Sequence, residues 1–255
     1  MPEPTPYPDI NAVLRVLLLG VQATLGPRFV GLYLYGSLAT GDFDPRRSDI
    51  DFLVVTAGDL PPALFPTLAQ MHAGLAASGV KWMTKLEGVY LPQAALRRHD
   101  PAQAPVPYLG VGHALVLAPQ GRGWAIERHI LRERGVVVAG PPLRPLIDPV
   151  LPDDLRQAVR AILQDWWALQ LTDSSFLSTV EYQAFAVLSM CRALHTLATG
   201  ELASKPAAGR WALQALDARW AALIDRALAW PDGPQPDSLP ETLDFIRYTL
   251  EQSAA

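Results

Sequence analysis

Cysteine is almost missing from this chain. Cys191 stands alone among 255 residues, so no internal disulfide can form and an oxidising compartment would bring the fold nothing. Basic excess is missing too: the net charge is −4, without the basic stripe that a non-specific nucleic-acid binder needs. No apolar run reads as long enough to span a membrane. Residues 1–10 lack the basic segment and following apolar run of a secretory signal. The five histidines show no metal-ligand spacing. The 24 prolines are scattered as breaks between elements and form no low-complexity segment. These absences predict a cytoplasmic globular protein that binds neither nucleic acid nor membrane; a monomer is expected.

What is present begins with an ordinary core. Half of the residues are hydrophobic and 18% are charged, enough for one large domain or two modest ones. The informative stretch is residues 31–37 followed by residues 48–55. It reads as strand, tight turn, loop and strand, with Gly36-Ser37 at the turn and Asp49-Ile50-Asp51 opening the second strand. Side chains alternate along a strand, so Asp49 and Asp51 share a face, where two carboxylates repel unless a cation joins them. Mg²⁺ takes hard oxygen ligands, typically one or two carboxylates plus substrate phosphates. Glycine lets a ligand approach the backbone, and N–H groups at such a turn, with the Ser37 hydroxyl, can cradle a phosphate. A cradle facing a carboxylate pair is what phosphoryl or nucleotidyl transfer requires. The bland alternative is a turn with solvated aspartates.

In chain order, Asp9 can cap a helix running to about Leu25, stopped by Pro27. A second helical pattern covers residues 61–78. Residues 80–91 read as a strand with Met83, Lys85, Glu87, Val89 and Leu91 on one face. Glu87 is then either a third carboxylate or an edge-strand charge paired with Lys85. Residues 92–108 read as a proline-rich loop in which Asp100 is a poorer acidic candidate. Residues 108–117 read as a strand, 124–134 as a helix and 135–140 as a short strand ending in a turn. Beyond residue 150 the period-2 pattern stops. Asp153 or Asp154 caps a helix to about Leu171; Ser178-x-x-Glu181 and Ser238-x-x-Glu241 read as capping boxes; Gly200 reads as a helix stop and Ser204 as a cap with Pro206 in the first turn. The fold class is α+β, a mixed sheet with helices over 1–150 followed by an α-helical bundle over 151–255. Arg192 lies mid-helix, and Lys205 lies in a first turn, where the helix dipole disfavours a cation unless an anion is near. Trp166, Trp167, Trp211, Trp220 and Trp230 read as core.

Gly36-Ser37, eleven residues, then Asp49-x-Asp51 resembles the signature of the DNA polymerase beta nucleotidyltransferase superfamily. Residues 187–192, then Thr199-Gly200, Ala203-Ser204-Lys205, Trp211-Ala212, Leu223-Ile224 and Ala227-Leu228, resemble the C-terminal helical domain of the aminoglycoside adenylyltransferases that modify streptomycin and spectinomycin. Gly140-Pro141 and Asp148-Pro149-Val150 fit the same family at the domain junction. The resemblance implies a polymerase-beta-like nucleotidyltransferase domain followed by a helical domain that binds substrate and nucleotide. It implies ATP as substrate, two Mg²⁺ ions on Asp49, Asp51 and Glu87, and Glu87 as base. It implies nucleotide contacts from Gly36, Ser37 and Ser48, and from Arg192 and Lys205 reaching across the cleft between the domains. The acceptor would be a small polar cation bound between the domains, with Asp165, Asp173 and Glu181 as the acids near it. Family members present an acidic residue near the start of the long helix; here Tyr182 follows Glu181, and that acid has no assigned position. The competing functions are a protein adenylyltransferase of toxin–antitoxin type, against which the helical domain weighs, and a non-catalytic nucleotide-binding module, against which the three acids weigh.

Overall fold

The computed structural model describes residues 3–98, 103–121, 123–230, 232 and 236–254. Asp100 lies outside them. The chain divides into two compact units, Met1–Pro149 and Val150–Ala255.

The first unit runs α1 (Pro8–Leu25), β1 (Phe29–Leu34), α2 (Gly36–Thr40), β2 (Ile50–Thr56), α3 (Phe65–Ala76), β3 (Leu86–Pro92), α4 (Gln93–Arg97), β4 (Val106–Leu109), β5 (Leu115–Ala118), α5 (Trp124–Arg134) and β6 (Val136–Ala139). The sheet order is β5-β4-β3-β2-β1-β6. Among the described strands only β2 and β3 pair in parallel, and a parallel pair needs a crossover, which α3 supplies. Period-2 alternation decides the faces. Leu32, Leu34, Ile50, Phe52, Val54, Leu86 and Tyr90 join Ile10, Val13, Leu14, Leu17 and Val21 of α1 and Leu68 of α3 in one core. Asp51 and Glu87 therefore belong to the opposite face. Beneath the sheet, buried His72 and Tyr90 share a hydrogen bond of 2.7 Å between Nε2 and the hydroxyl.

Several local expectations change. Pro8–Arg28, that is α1 and the turn after it, is long and apolar enough by composition to cross a membrane, contrary to the sequence reading; here its apolar face is inside the core. Tyr7, not Asp9, is its N-cap residue, and Asp9 lies in the first turn. Gly36–Thr40 forms a short helix where a turn was expected, and Gln93–Arg97 another where a loop was expected. The strand expected from Val80 begins at Leu86. Residues 81–85 form a 3₁₀ turn closed by Met83 N–H to Val80 O and by the Thr84 hydroxyl to Lys81 O, so Met83 and Lys85 leave the strand face. The strand expected over 108–117 is a hairpin, β4 and β5, whose turn uses Gly112 at φ +71°.

The second unit contains α6 (Pro152–Ile162), α7 (Val180–Thr199), α8 (Lys205–Ala215), α9 (Ala221–Ala229) and α10 (Leu239–Ala254). After α6 the chain passes through a π turn, Leu163–Trp167, and a 3₁₀ turn, Ala168–Leu171. The long helix α7 packs against the other four, burying Ala186, Val187, Met190 and Cys191. Burial pushes the Cys191 thiol up to about 12, so it is an inert core group. Ser204 caps α8 as read, its hydroxyl accepting from Ala207 N–H at 3.3 Å, and Gly200 ends α7 at φ +75°. Two other caps shift. Thr179, not Ser178, caps α7 and accepts from Tyr182 N–H. Asp154 sits inside α6 and accepts from Leu151 N–H at 2.9 Å. Ser238 gives its N–H and hydroxyl to buried Gln183. Trp167 and Trp220 are core, but Trp166 is 45% exposed.

Candidate active site

The first unit's site is built where β1 ends beside the start of β2. Tyr35 N–H donates to Asp51 O at 3.1 Å, which lays the following Gly36 against the Asp51 side chain. Gly36 has φ +58°, and a Cβ there would lie 1.8 Å from Asp51 Oδ2. No other residue fits both the backbone angle and the space. Ser37 follows, half-buried, in the first turn of α2. Ser48 has a local role: its hydroxyl accepts from Asp44 N–H at 3.0 Å and closes the loop leading to β2. In that loop the Arg46 side chain and N–H hold the Asp44 carboxyl down at about 2.

Strand register brings the acids together. Asp51 on β2 stands opposite Glu87 on β3, although they are far apart in sequence. The Tyr108 hydroxyl, from β4, donates to Glu87 Oε1 at 2.5 Å. Tyr35 lies in the same electrostatic neighbourhood. Burial first, then Asp51, Glu127 and Glu87, push its hydroxyl well above the usual tyrosine range. Burial and then the Glu87 bond push Tyr108 up as well. Both phenols therefore stay protonated, and the Tyr108 hydroxyl acts as a donor to a carboxylate. Glu127 of α5 is an acid that sequence reasoning missed. It lies in a helix's first turn, where acidic residues are ordinary, and so gave no signal. Tyr108 gave none either, since an aromatic residue in a strand is equally ordinary.

Asp49 immediately precedes β2 and pairs with Lys85, Nζ to Oδ1 at 3.2 Å. That Oδ1 is shielded from solvent and has no hydrogen-bond partner among the described residues, so the contact with Lys85 is an ion pair alone. Lys85 thus takes Asp49, not Glu87. Among the described residues no three or more His, Cys, Asp and Glu side chains stand together as a ready metal cage. The donors still fit Mg²⁺ by their chemistry. Asp51 and Glu87 are hard oxygens in register, Asp49 Oδ1 lacks a hydrogen bond, and Mg²⁺ characteristically takes its remaining ligands from water and substrate phosphates.

In the second unit, Arg192 lies mid-way along α7 and is half-buried, and Lys205 is the first residue of α8. The Lys205 ammonium stands 4.1 Å over the Phe185 ring, a cation–π contact that offsets part of its unfavourable place at a helix N-terminus. Asp165, in the π turn, and Asp173 and Glu181 are all exposed. Asp173 accepts from Ser175 N–H at 3.0 Å. The three are not gathered on one element: Asp165 and Asp173 flank the 3₁₀ turn, and Glu181 opens α7.

Comparison with known proteins shows what the two units are similar to. A family model for the aminoglycoside adenylyltransferase C-terminal domain matches residues 145–252, and a nucleotidyltransferase domain model matches residues 23–76. An aminoglycoside (3'') (9) adenylyltransferase of Escherichia coli is 26% identical, over 94% of this chain and 93% of its own length. One of the same description from Rhizobium radiobacter is 29% identical, over 95% of this chain and 78% of its own. The solved spectinomycin adenyltransferase of Enterococcus faecialis, with ATP and spectinomycin, superposes with a TM-score of 0.74 over 96% of this chain and 99% of its own. At 17% identity that likeness speaks for the fold: a nucleotidyltransferase domain followed by a helical region.

Proposed function

We propose that this chain, a nucleotidyltransferase related to the aminoglycoside adenylyltransferases, transfers AMP from ATP to a hydroxyl of a small cationic acceptor, an aminoglycoside or aminocyclitol. The observation that carries the reading is the register of Asp51 with Glu87 beside the Gly36 turn. The acceptor class rests on the names of the relatives and on the C-terminal domain match.

In this reading Gly36 and Ser37 receive the phosphates of ATP, Gly36 because nothing but a glycine leaves room beside Asp51. Asp49 and Asp51 hold Mg²⁺, with Glu87 beside them. When bound, the cation neutralises phosphate charge and polarises the phosphoryl oxygens. Glu87 takes the proton of the acceptor hydroxyl. The acceptor oxygen then forms a bond to the α-phosphorus, and the bond from that phosphorus to the bridging oxygen breaks. Pyrophosphate leaves with the electron pair, and Glu87 returns its proton to solvent. Arg192 and Lys205 are assigned to the nucleotide, Ser48 to shaping the loop before Asp49, and Asp165, Asp173 and Glu181 to the cationic acceptor. The exposure of these three acids supports that last assignment, because a cation can reach them.

The test is incubation with ATP, Mg²⁺ and a panel of aminoglycosides and aminocyclitols, read by mass spectrometry and pyrophosphate release. The expected product is acceptor plus one AMP. AMP attached to a protein substrate instead, or pyrophosphate release that no panel member stimulates, would overturn the acceptor class.

A further inference from the structure

We infer that Tyr108 is a positioning residue for this reaction: its hydroxyl holds the Glu87 carboxylate in the orientation from which Glu87 takes the acceptor's proton. The inference rests on the function proposed above and adds to it a residue that acts through the base. Three observations carry it. First, the bond is short, 2.5 Å from hydroxyl to Oε1, the length of an O–H donor held against a carboxylate. Second, the backbone aims it. Val89 pairs with Tyr108 across the antiparallel β3–β4 ladder, so Tyr108 and Glu87 are diagonal neighbours, a separation that an aromatic side chain spans. β4 is itself held from its other edge by β5, with Tyr108 opposite Val116, so the donor comes from an interior strand. Third, there is a force for the bond to oppose. Asp51 stands in register beside Glu87, and like charges on facing strand positions push apart. A glutamate's terminal torsion is broad, so a carboxylate repelled in this way would turn without a fixed donor.

The variant Tyr108→Phe removes the hydroxyl and keeps the ring. AMP transfer by the wild-type protein is measured first, with its kcat and its KM for ATP. Tyr108→Phe is expected to lower kcat by about 10- to 100-fold, the scale of a misplaced reacting group, with the KM for ATP within about twofold. In the Glu87→Gln background the same change is expected to cost less than about twofold, because the group it positions is already gone. A second readout needs no turnover. In protein carrying ¹³C at the tyrosine ring carbon next to the hydroxyl, Glu87→Gln should shift the Tyr108 resonance, and calorimetric affinity for ATP with Mg²⁺ should be unchanged by Tyr108→Phe. A Tyr108→Phe kcat within twofold of wild type, equal costs in both backgrounds, or a lower melting temperature with kcat and KM moving together would each overturn the inference. A wild-type protein that transfers no AMP would overturn the proposed function itself, and this inference with it.

Discussion

The two units hold their charged groups in opposite ways. In the first, Asp51 and Glu87 are locked by strand register, Gly36 is pressed against one of them, and Tyr108 is bonded to the other. In the second, Asp165, Asp173 and Glu181 stand exposed on turns and a helix end, and Lys205 lies on an aromatic ring. An interior strand fixes the backbone that carries a charge, and a bonded neighbour such as Tyr108 then fixes its side-chain torsions; a charge on an exposed turn keeps its torsions free. Fixed groups suit a reaction in which atoms must meet within a fraction of an ångström. Adjustable ones suit recognition of a flexible cation. The proposed function gives chemistry to the first unit and recognition to the second, and four measurements can break that division.

The largest effect is expected from Asp51→Asn, which should cost AMP transfer about 10⁴-fold or more, the equivalent of roughly 5 kcal/mol of lost charge stabilisation. The fold should survive, because removing one of two facing carboxylates relieves repulsion. Turnover rate and a melting curve on the same preparation check both halves; full activity would remove Asp51 from the chemistry. Next, Glu87→Gln should lower the single-turnover rate by about 10²- to 10⁴-fold while ATP affinity holds, as for a base that is lost while Asp49 and Asp51 remain. A parallel fall in Mg²⁺ and ATP affinity would make Glu87 chiefly a metal ligand. Wild-type values for both would make it an edge charge.

A third measurement asks whether the first unit's core is also its acid-sensitive part. Burial lowers the His72 pKa from 6.5 to about 4, so the unfolded chain takes up a proton near 6.5 that the folded chain refuses until about 4. The contribution is fully present above pH 6.5 and is lost as pH falls from there to about 4. Across that window the loss amounts to about 3 kcal/mol at 1.36 kcal/mol per unit. Urea unfolding followed from neutral pH down to about pH 4.5 should show it, and His72→Gln should flatten the dependence. An unchanged slope in that variant would place the acid sensitivity elsewhere. The smallest effect should come from Lys205→Ala. Calorimetry should show ATP binding weakened about tenfold, roughly 1.4 kcal/mol, with the fold intact. Unchanged affinity would remove Lys205 from nucleotide binding and leave Arg192 as the second unit's one assigned contact.

Local signals carried the fold class. Short apolar runs through residues 31–34 and 50–55 marked interior strands, because a strand covered on both faces buries consecutive side chains. Apolar spacing over 180–199, with Gly200 and Ser204 at its flanks, marked the helical half. Caps one residue apart were harder. Ser178 and Thr179 carry the same hydroxyl, and only the path of the chain decides which of them meets the free N–H of Tyr182. The strand expected from Val80 failed for a similar reason. Alternation continues through Met83 and Lys85, but the local hydrogen bonds of a 3₁₀ turn took those residues first.

For the candidate site, the residue types and their order were legible along the chain: a glycine that permits close approach, two aspartates one residue apart, and a later glutamate on an apolar strand. These are short-range facts, set by spacing along one chain direction. Which groups touch was settled by folding. It brought Glu87 beside Asp51, Tyr108 onto Glu87, Lys85 onto Asp49, and Glu127 into the field of two tyrosines. The physical reason is that strand register and crossover length fix neighbours between segments whose sequences carry no mutual signal. A carboxylate's partner is chosen by the sheet, after the residues themselves have been chosen by their local roles.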